Sequence, residues 1–327
     1  MDMALGQELK DWLADRERQR RSQHAIDTFG RDWDHGSVQR RFDSAMAALS
    51  NHSAEAVADA VRALFGDDAW LDALIDGLVR QMRVDPFFDP PFRAINSDIH
   101  VGLIVFEHPF VSIAAGVTHV ARLAGKKTAP RGATSVGFTG RVTVLKFVKA
   151  GGARISLWEA PTITAGFNAA EAGRCARTGE RHLADGDILV IDGRRQSYVI
   201  EQARANVLVL QAEINLDQAP LSVEYDSAKL SYVGCSANGD GASRIQMITT
   251  LLRKLDCEGA FPAVADFIDH PDFFVRWHVM KELLGIDVEA ALPHLRHMAA
   301  HDSHPDTRRT ARTVLNRLET PKPQQAA

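Results

Sequence analysis

Apolar positions change their spacing twice along the chain, and the two changes divide it into three parts. In the first 84 residues they recur at helical spacing. Leu5, Leu9, Trp12 and Leu13 fall at i, i+4, i+7 and i+8, one face of an amphipathic helix. Gly30 and Gly36, beside Phe29 and Trp33, predict a turn. A second helix is expected over residues 37–49, and a third carries Val57, Val61, Leu64 and Phe65. Asp67 or Asp68 can cap a fourth, which sets Trp70, Leu71, Leu74, Ile75, Leu78, Val79 and Met82 on a broad apolar face. Three prolines then end the helices, because proline has no N–H to donate. Residues 85–98 therefore read as a connector, packed on the domain that follows through Phe87, Phe88 and Phe92.

From residue 99 to 226 the runs are short, β-branched and punctuated by glycine, which predicts an antiparallel sandwich or barrel. The most legible stretch is 182–214. Its apolar runs at 188–191, 197–200 and 207–210 are separated by turn residues. Asp192-Gly193 predicts a two-residue hairpin, since both residues tolerate the positive φ of a type I′ turn. Gly151-Gly152 gives the same signal between runs at 142–148 and 154–158.

After Gly241 the period becomes helical again, with Ile245, Ile248, Leu251, Leu252 and Leu255 in one stripe. His270-Pro271-Asp272 recurs as His304-Pro305-Asp306, 34 residues later. The helices that follow stay in register, Phe273, Trp277, Met280 and Leu284 matching Thr307, Ala311, Val314 and Leu318. Phe261-Pro262 and Leu292-Pro293 are expected to begin matching upstream helices, since proline suits a helix start. This pattern resembles two HEAT-type helical hairpins, with Arg276 or Arg309 on the second helix. The resemblance implies a protein-interaction surface. Two such units need a further neighbour to cover them.

The central region has a resemblance of its own. Gly186-Asp187 leads the apolar run 188–191, followed by Asp192-Gly193 and Gln196-Ser197-Tyr198. This is similar to the second conserved strand pair of cupins and implies a double-stranded β-helix. The family holds a mononuclear metal with histidines and a glutamate. Here Gln196 or Ser197 stands where the second-motif histidine is expected, and around residues 155–167 Glu159 is the one carboxylate left from the first motif. Amide and hydroxyl groups are poor replacements for imidazole.

The expected fold is thus α+β: an N-terminal helical region (1–84), the connector (85–98), a cupin-like jelly-roll barrel (99–226), HEAT-like helical repeats (242–319) and a disordered tail (320–327). Two sets of candidate site residues follow. Arg154, Trp158, Glu159, Gln196 and Tyr198 would supply an aromatic wall and polar groups for a small ligand in the barrel. His100, His108, His119 and His182 would be the histidines of a divergent metal site. The plainer reading makes each of them a hydrogen-bonded or surface histidine. His294, His297 and His301 share one helix face and could hold a metal with Asp302 and Asp306 nearby, a solvated surface being their plainer reading.

Composition narrows the function classes. The chain has 327 residues, a formal net charge of −4 and three scattered cysteines. It has no basic domain, no paired CxxC, no nucleophile elbow and no Walker loop. The arginines at 16–21 are interspersed with acids and read as a solvated helix face, so nucleic-acid binding is not expected. Cys175 lies beside Arg174 and Arg177 without a partner base and reads as inert. No signal peptide or membrane span is expected, and the compartment is read as cytoplasmic. The leading expectation is a non-catalytic ligand-binding or scaffold protein, dimeric, with a protein partner on the repeats and no cofactor. The alternative is a cupin-type oxygenase or isomerase, for which the cofactor would be a divalent metal.

Overall fold

The structure, a computed structural model, describes residues 3–67, 69–122 and 135–319; the expected disordered tail at 320–327 lies outside them. Among the described residues no helix is long and apolar enough to cross a membrane. The N-terminal part comprises α1 (Met3–Ala14), α2 (Arg16–Asp34), α3 (Ser37–Ala47), α4 (Ala54–Leu64) and α5 (Ala69–Val84). The expected turn falls at His35-Gly36, between α2 and α3, while Phe29, Gly30 and Trp33 lie inside α2. Asp15 starts α2 by accepting the backbone N–H groups of Glu17 and Arg18 at 2.9 Å each. Gly30 sits inside that helix, where an added Cβ would touch the Pro91 ring at 3.4 Å. That is ordinary contact, so the helix has room for a small side chain at this position. Among the described residues the connector's phenylalanines meet aromatic rings of the preceding helices and not of the barrel: Phe88 is buried, and Phe29 of α2 meets Phe88 and Phe92 edge-on at 5.7 and 6.3 Å.

The sheet region runs from β1 (Arg93–Asn96) to β12 (Tyr232–Ala237). Between them lie β2 (His100–His108), β3 (Val111–Thr118), β4 (Ser135–Phe138), β5 (Val142–Lys149), β6 (Arg154–Glu159), β7 (Ala176–His182), β8 (Ile188–Asp192), β9 (Gln196–Gln202), β10 (Val207–Ile214) and β11 (Leu221–Asp226). All pairings among the described residues are antiparallel. One sheet has the order β1-β2-β3-β10-β5-β8, and two smaller sheets are β12-β11-β4 and β7-β6-β9. From β5 to β10 the chain changes sheet at every step but β6 to β7, which is jelly-roll winding. The sheets stay open, so the expected barrel is a sandwich without closure.

This winding corrects both hairpin expectations. β8 pairs with β5 and β9 with β6, so Asp192-Gly193 is a corner between sheets. Gly151-Gly152 is another such corner, with φ of +60° and +65°. Gly193 has no positive φ. It is required because a Cβ there would lie 2.2 Å from the Thr139 hydroxyl and 2.5 Å from the Arg141 carbonyl. Gly193→Ala is therefore expected to cost about 1–3 kcal/mol through overpacking. A urea midpoint equal to wild type would refute the close-approach explanation.

The two faces of the large sheet have different partners. Val111, Ile113, Leu210, Ala212 and Ile214 pack against Val57, Val61 and Leu71 of the N-terminal helices. The Trp33 indole N–H donates to the Val105 carbonyl at 2.9 Å. Buried Lys146 reaches the Phe65 carbonyl at 2.6 Å, where its charge suits the C-terminal end of α4. On the opposite face Leu145, Phe147, Val207 and Val209 meet Ile155, Tyr198 and Ile200 of the β6–β9 pair.

The C-terminal part is α6 (Asp240–Lys254), α7 (Ala260–Ala265), α8 (Phe273–Ile286), α9 (Val288–His301) and α10 (Pro305–Glu319). Helix α8 is the centre of the array, with Val275, Val279, Met280 and Leu283 buried together with Arg276 and Glu282. Pro293 does not begin a helix as expected. It lies inside α9, which Asp287 starts by accepting the Ala290 N–H at 3.0 Å. The two His-Pro-Asp turns also differ. His270 Nδ1 accepts the N–H of Asp272 within its own turn at 3.0 Å. His304 reaches away instead, Nε2 donating to the Phe167 carbonyl at 2.9 Å, and Asp306 accepts the Ala169 N–H at 2.9 Å. The second turn thus joins the repeat to the jelly roll.

Candidate functional site

Cross-strand partners share a sheet face, so register shows what the inner face of the large sheet presents. Val209 stands opposite both Gly116 and Phe147, and Phe147 belongs to the core between the sheets. One step along, Gln211 stands opposite Ala114 and Leu145. A further step places Glu213 opposite Ser112, which in turn stands opposite Glu107. The inner face therefore changes along β10 from apolar to polar. Its polar end is left open as a cleft of about 580 Å³.

Two Arg–Glu pairs shape that end. Arg93 of β1 holds Glu107 at 2.5 Å, and both are well exposed. Arg141, from the turn before β5, holds Glu213 at 3.3 Å and is more enclosed, with 22% of its side chain exposed. Arg141 also donates to the Asn238 carbonyl at 2.5 Å, and Gln211 donates to Glu213 at 2.8 Å. The Asn238 amide is fixed on the carbonyls of Thr139 and Ala219, at 2.7 and 3.0 Å. Neighbouring strands lie roughly 4.8 Å apart, so the Glu107 and Glu213 backbones are separated by roughly 10 Å across Ser112.

His100 closes the other end of this floor. Its Nδ1 lies 3.3 Å from the Thr118 hydroxyl. The ring lies over Gly116, where an added Cβ would meet Nε2 at 2.4 Å. Burial lowers the His100 pKa, and the nearby His119 adds to that shift, so the neutral imidazole is favoured. The floor between His100 and the glutamates is Gly102, Gly116 and Ala114, small residues that leave a trough. The arrangement can hold a polar molecule with donors and acceptors at one end and a neutral imidazole at the other.

The sequence candidates are distributed otherwise. Glu159 stands opposite Gln196, and Leu157 opposite Tyr198, so these positions do come together on the β6–β9 pair. Trp158 faces away from Tyr198. It is buried among Val136, Phe138, Ile163 and Phe167, its indole donating to Ser156 at 2.8 Å. Arg154 is paired with Glu180 at 2.5 Å. Tyr198 packs in the core between the sheets, where burial pushes its phenol to about 12. None of these five residues lines the cleft.

Of the four histidines, His100 alone lines it. His108 ends the same nine-residue strand, roughly 26 Å away, where its Nδ1 accepts the Phe110 N–H at 3.2 Å. His119 follows β3, and His182 is exposed at the end of β7 opposite Arg154. Among the described residues no three His, Cys, Asp or Glu side chains gather as a metal site. Burial raises the Cys175 thiol pKa, in line with an inert residue.

Sequence reasoning missed Arg93, Ser112, Arg141, Gln211, Glu213 and Asn238. One signal was present. In 207–214 the alternate positions Leu208, Leu210, Ala212 and Ile214 stay apolar, while Val207 and Val209 give way to Gln211 and Glu213. Such a switch on one face marks a strand that leaves a core for a solvated or binding surface.

The HEAT-repeat family matches residues 235–316. No curated protein matches the chain. Solved structures similar to it include ectoine synthase from P. lautus, 10% identical over 37% of this chain and 67% of that one, with a TM-score of 0.20. A cupin domain from Bordetella pertussis Tohama I is 10% identical over 37% and 98% of the two chains, with a TM-score of 0.22. The oxalate decarboxylase of Lactobacillus farciminis is 14% identical over 49% and 38%, also at 0.22.

Proposed function

We propose that the chain is a non-catalytic binding protein. Its jelly-roll cleft takes a small polar ligand, and its HEAT repeats dock a protein partner. The observation that carries this reading is the polar end of the inner sheet face, where Arg141, Glu213, Gln211 and Asn238 form one hydrogen-bonded set. Fixed donors and acceptors at the mouth of an apolar core are the ordinary make-up of a ligand site. The alternative, a metal-dependent enzyme built from His100, His108, His119, His182 and Glu159, would need these scattered groups to converge.

A thermal-shift screen of small carboxylates, polyols and amino acids tests the reading. A ligand at a hundredfold excess over its Kd adds about 2.7 kcal/mol, enough to raise the melting temperature by several degrees. Arg141→Ala is expected to abolish the shift while Arg154→Ala retains it. A shift that survives Arg141→Ala places the ligand elsewhere. Stoichiometric iron or manganese, lost when His100 or His182 is substituted, would replace this reading with the enzyme.

A further inference from the structure

A second cavity, of about 500 Å³, lies in the helical repeat and plays no part in the reading above. One wall is α9, which presents His294, His297 and His301. Asp269, Arg276 and Asp302 contribute from elsewhere. We propose that His297 and His301 form a site for a divalent transition-metal ion of the zinc class.

Three observations support the site. The two histidines are four residues apart on one helix, the spacing that stacks side chains on the same face. Their ring centroids are 4.8 Å apart and inclined at 32°. Two Zn–N bonds of about 2.0–2.1 Å at a tetrahedral angle need the nitrogens about 3.4 Å apart, within reach of rings at that separation. The tautomer is also set. His301 Nδ1 lies 3.3 Å from the His297 carbonyl, and with the proton on that nitrogen the lone pair of Nε2 is free for a metal.

The local charge favours a cation. Arg276, the cation lining this cavity, is consumed by a two-bond pair with Asp302, at 2.7 and 2.8 Å. Asp269 has no hydrogen bond or ion pair among the described residues and leaves a carboxylate on the cavity wall. No third side chain is already in ligand position among the described residues, so the ion keeps open positions for water. The site is independent of the jelly-roll cleft, so either proposal can fail alone.

Zinc titration of the purified full chain, freed of any affinity tag, tests it by calorimetry. One ion per chain is expected, with affinity falling at least about tenfold in both His297→Ala and His301→Ala, since even outer-shell losses cost that much. The variants are exposed-side-chain changes and should keep the wild-type melting temperature in chelator. His100→Ala should bind as wild type does. Equal affinity in the wild type and both α9 variants, or no binding by the folded wild type, overturns the proposal.

Discussion

Arg276→Ala is expected to destabilise the chain by about 3–5 kcal/mol, the usual result of removing one partner from a buried ion pair. Arg276 lies at the centre of the repeat with 10% of its side chain exposed, and Asp302 has 3%. Beyond its two bonds to Asp302, the guanidinium donates to the carbonyls of His270 and Pro271 at 2.9 Å each, and to the Ser303 hydroxyl at 3.1 Å. One side chain thus ties the first His-Pro-Asp turn to the start of the second. Removal leaves a buried carboxylate without its counter-charge. Urea denaturation followed by circular dichroism reads the loss. Burial alone would raise the Asp302 pKa, but the bonds from Arg276 and the His304 N–H outweigh it and the pKa is lowered. A depressed carboxylate contributes stability above its unfolded value near 4 and loses it as pH falls through the folded value. The gap between wild type and variant should therefore narrow in acid. A gap of under 1 kcal/mol at neutral pH, or one that widens in acid, would contradict the pair's role.

Much of the fold was legible because burial writes a period into the chain. The apolar stripes of α4 and α5 and the runs of β8, β9 and β10 were all readable from spacing. The winding was not. Asp192-Gly193 satisfies the local chemistry of a hairpin, yet the chain crosses between sheets there. Turn residues record local conformation and close approach, whereas partner choice depends on strands far away in sequence. Of the two glycines that signalled a turn, Gly36 marks it, while α2 runs on through Gly30 to Asp34.

The candidate site was less legible than the fold. The cupin-like motif lies on β8 and β9 and its candidate residues on β6 and β9, where Trp158 serves the core and Arg154 its own ion pair. The cleft is built from strands widely separated in sequence, β1, β2, β3 and β10, with Arg141 and Asn238 from the connecting segments. Arg93 was read as part of a connector, so its pairing with Glu107 across the β1–β2 ladder was invisible. His100 carries two readings in the sequence, a metal ligand or a hydrogen-bonded histidine; in the structure it is a partly buried imidazole laid over Gly116. The duplicated His-Pro-Asp turn was visible as a repeat, but spacing cannot say that its two copies do different work.

That difference leads to the second large effect, expected from His304→Ala. The His304 ring is stacked on Phe273 at 3.6 Å and 4°, buried to 5% exposure, and holds the Phe167 carbonyl. Its Nδ1 has no partner among the described residues, so this side chain is kept in place by the stack and a single hydrogen bond. Alanine removes both and leaves a ring-sized space, at a cost of roughly 2–4 kcal/mol. The loss falls on the junction, because Phe167 belongs to the core outside the β6–β9 pair and Phe273 begins α8. Asp306 would remain as the nearby polar tie, through Ala169. Hydrogen exchange should then rise in residues 160–175 and in α10 while the β3–β10–β5 ladder stays protected, and unfolding should separate into two transitions. His304→Phe restores the stack but not the hydrogen bond, and should recover part of the loss and a single transition. If His304→Ala unfolds in one step with exchange unchanged at 160–175, the second turn does not join the two parts, and their coupling must run through β12 and α6 instead.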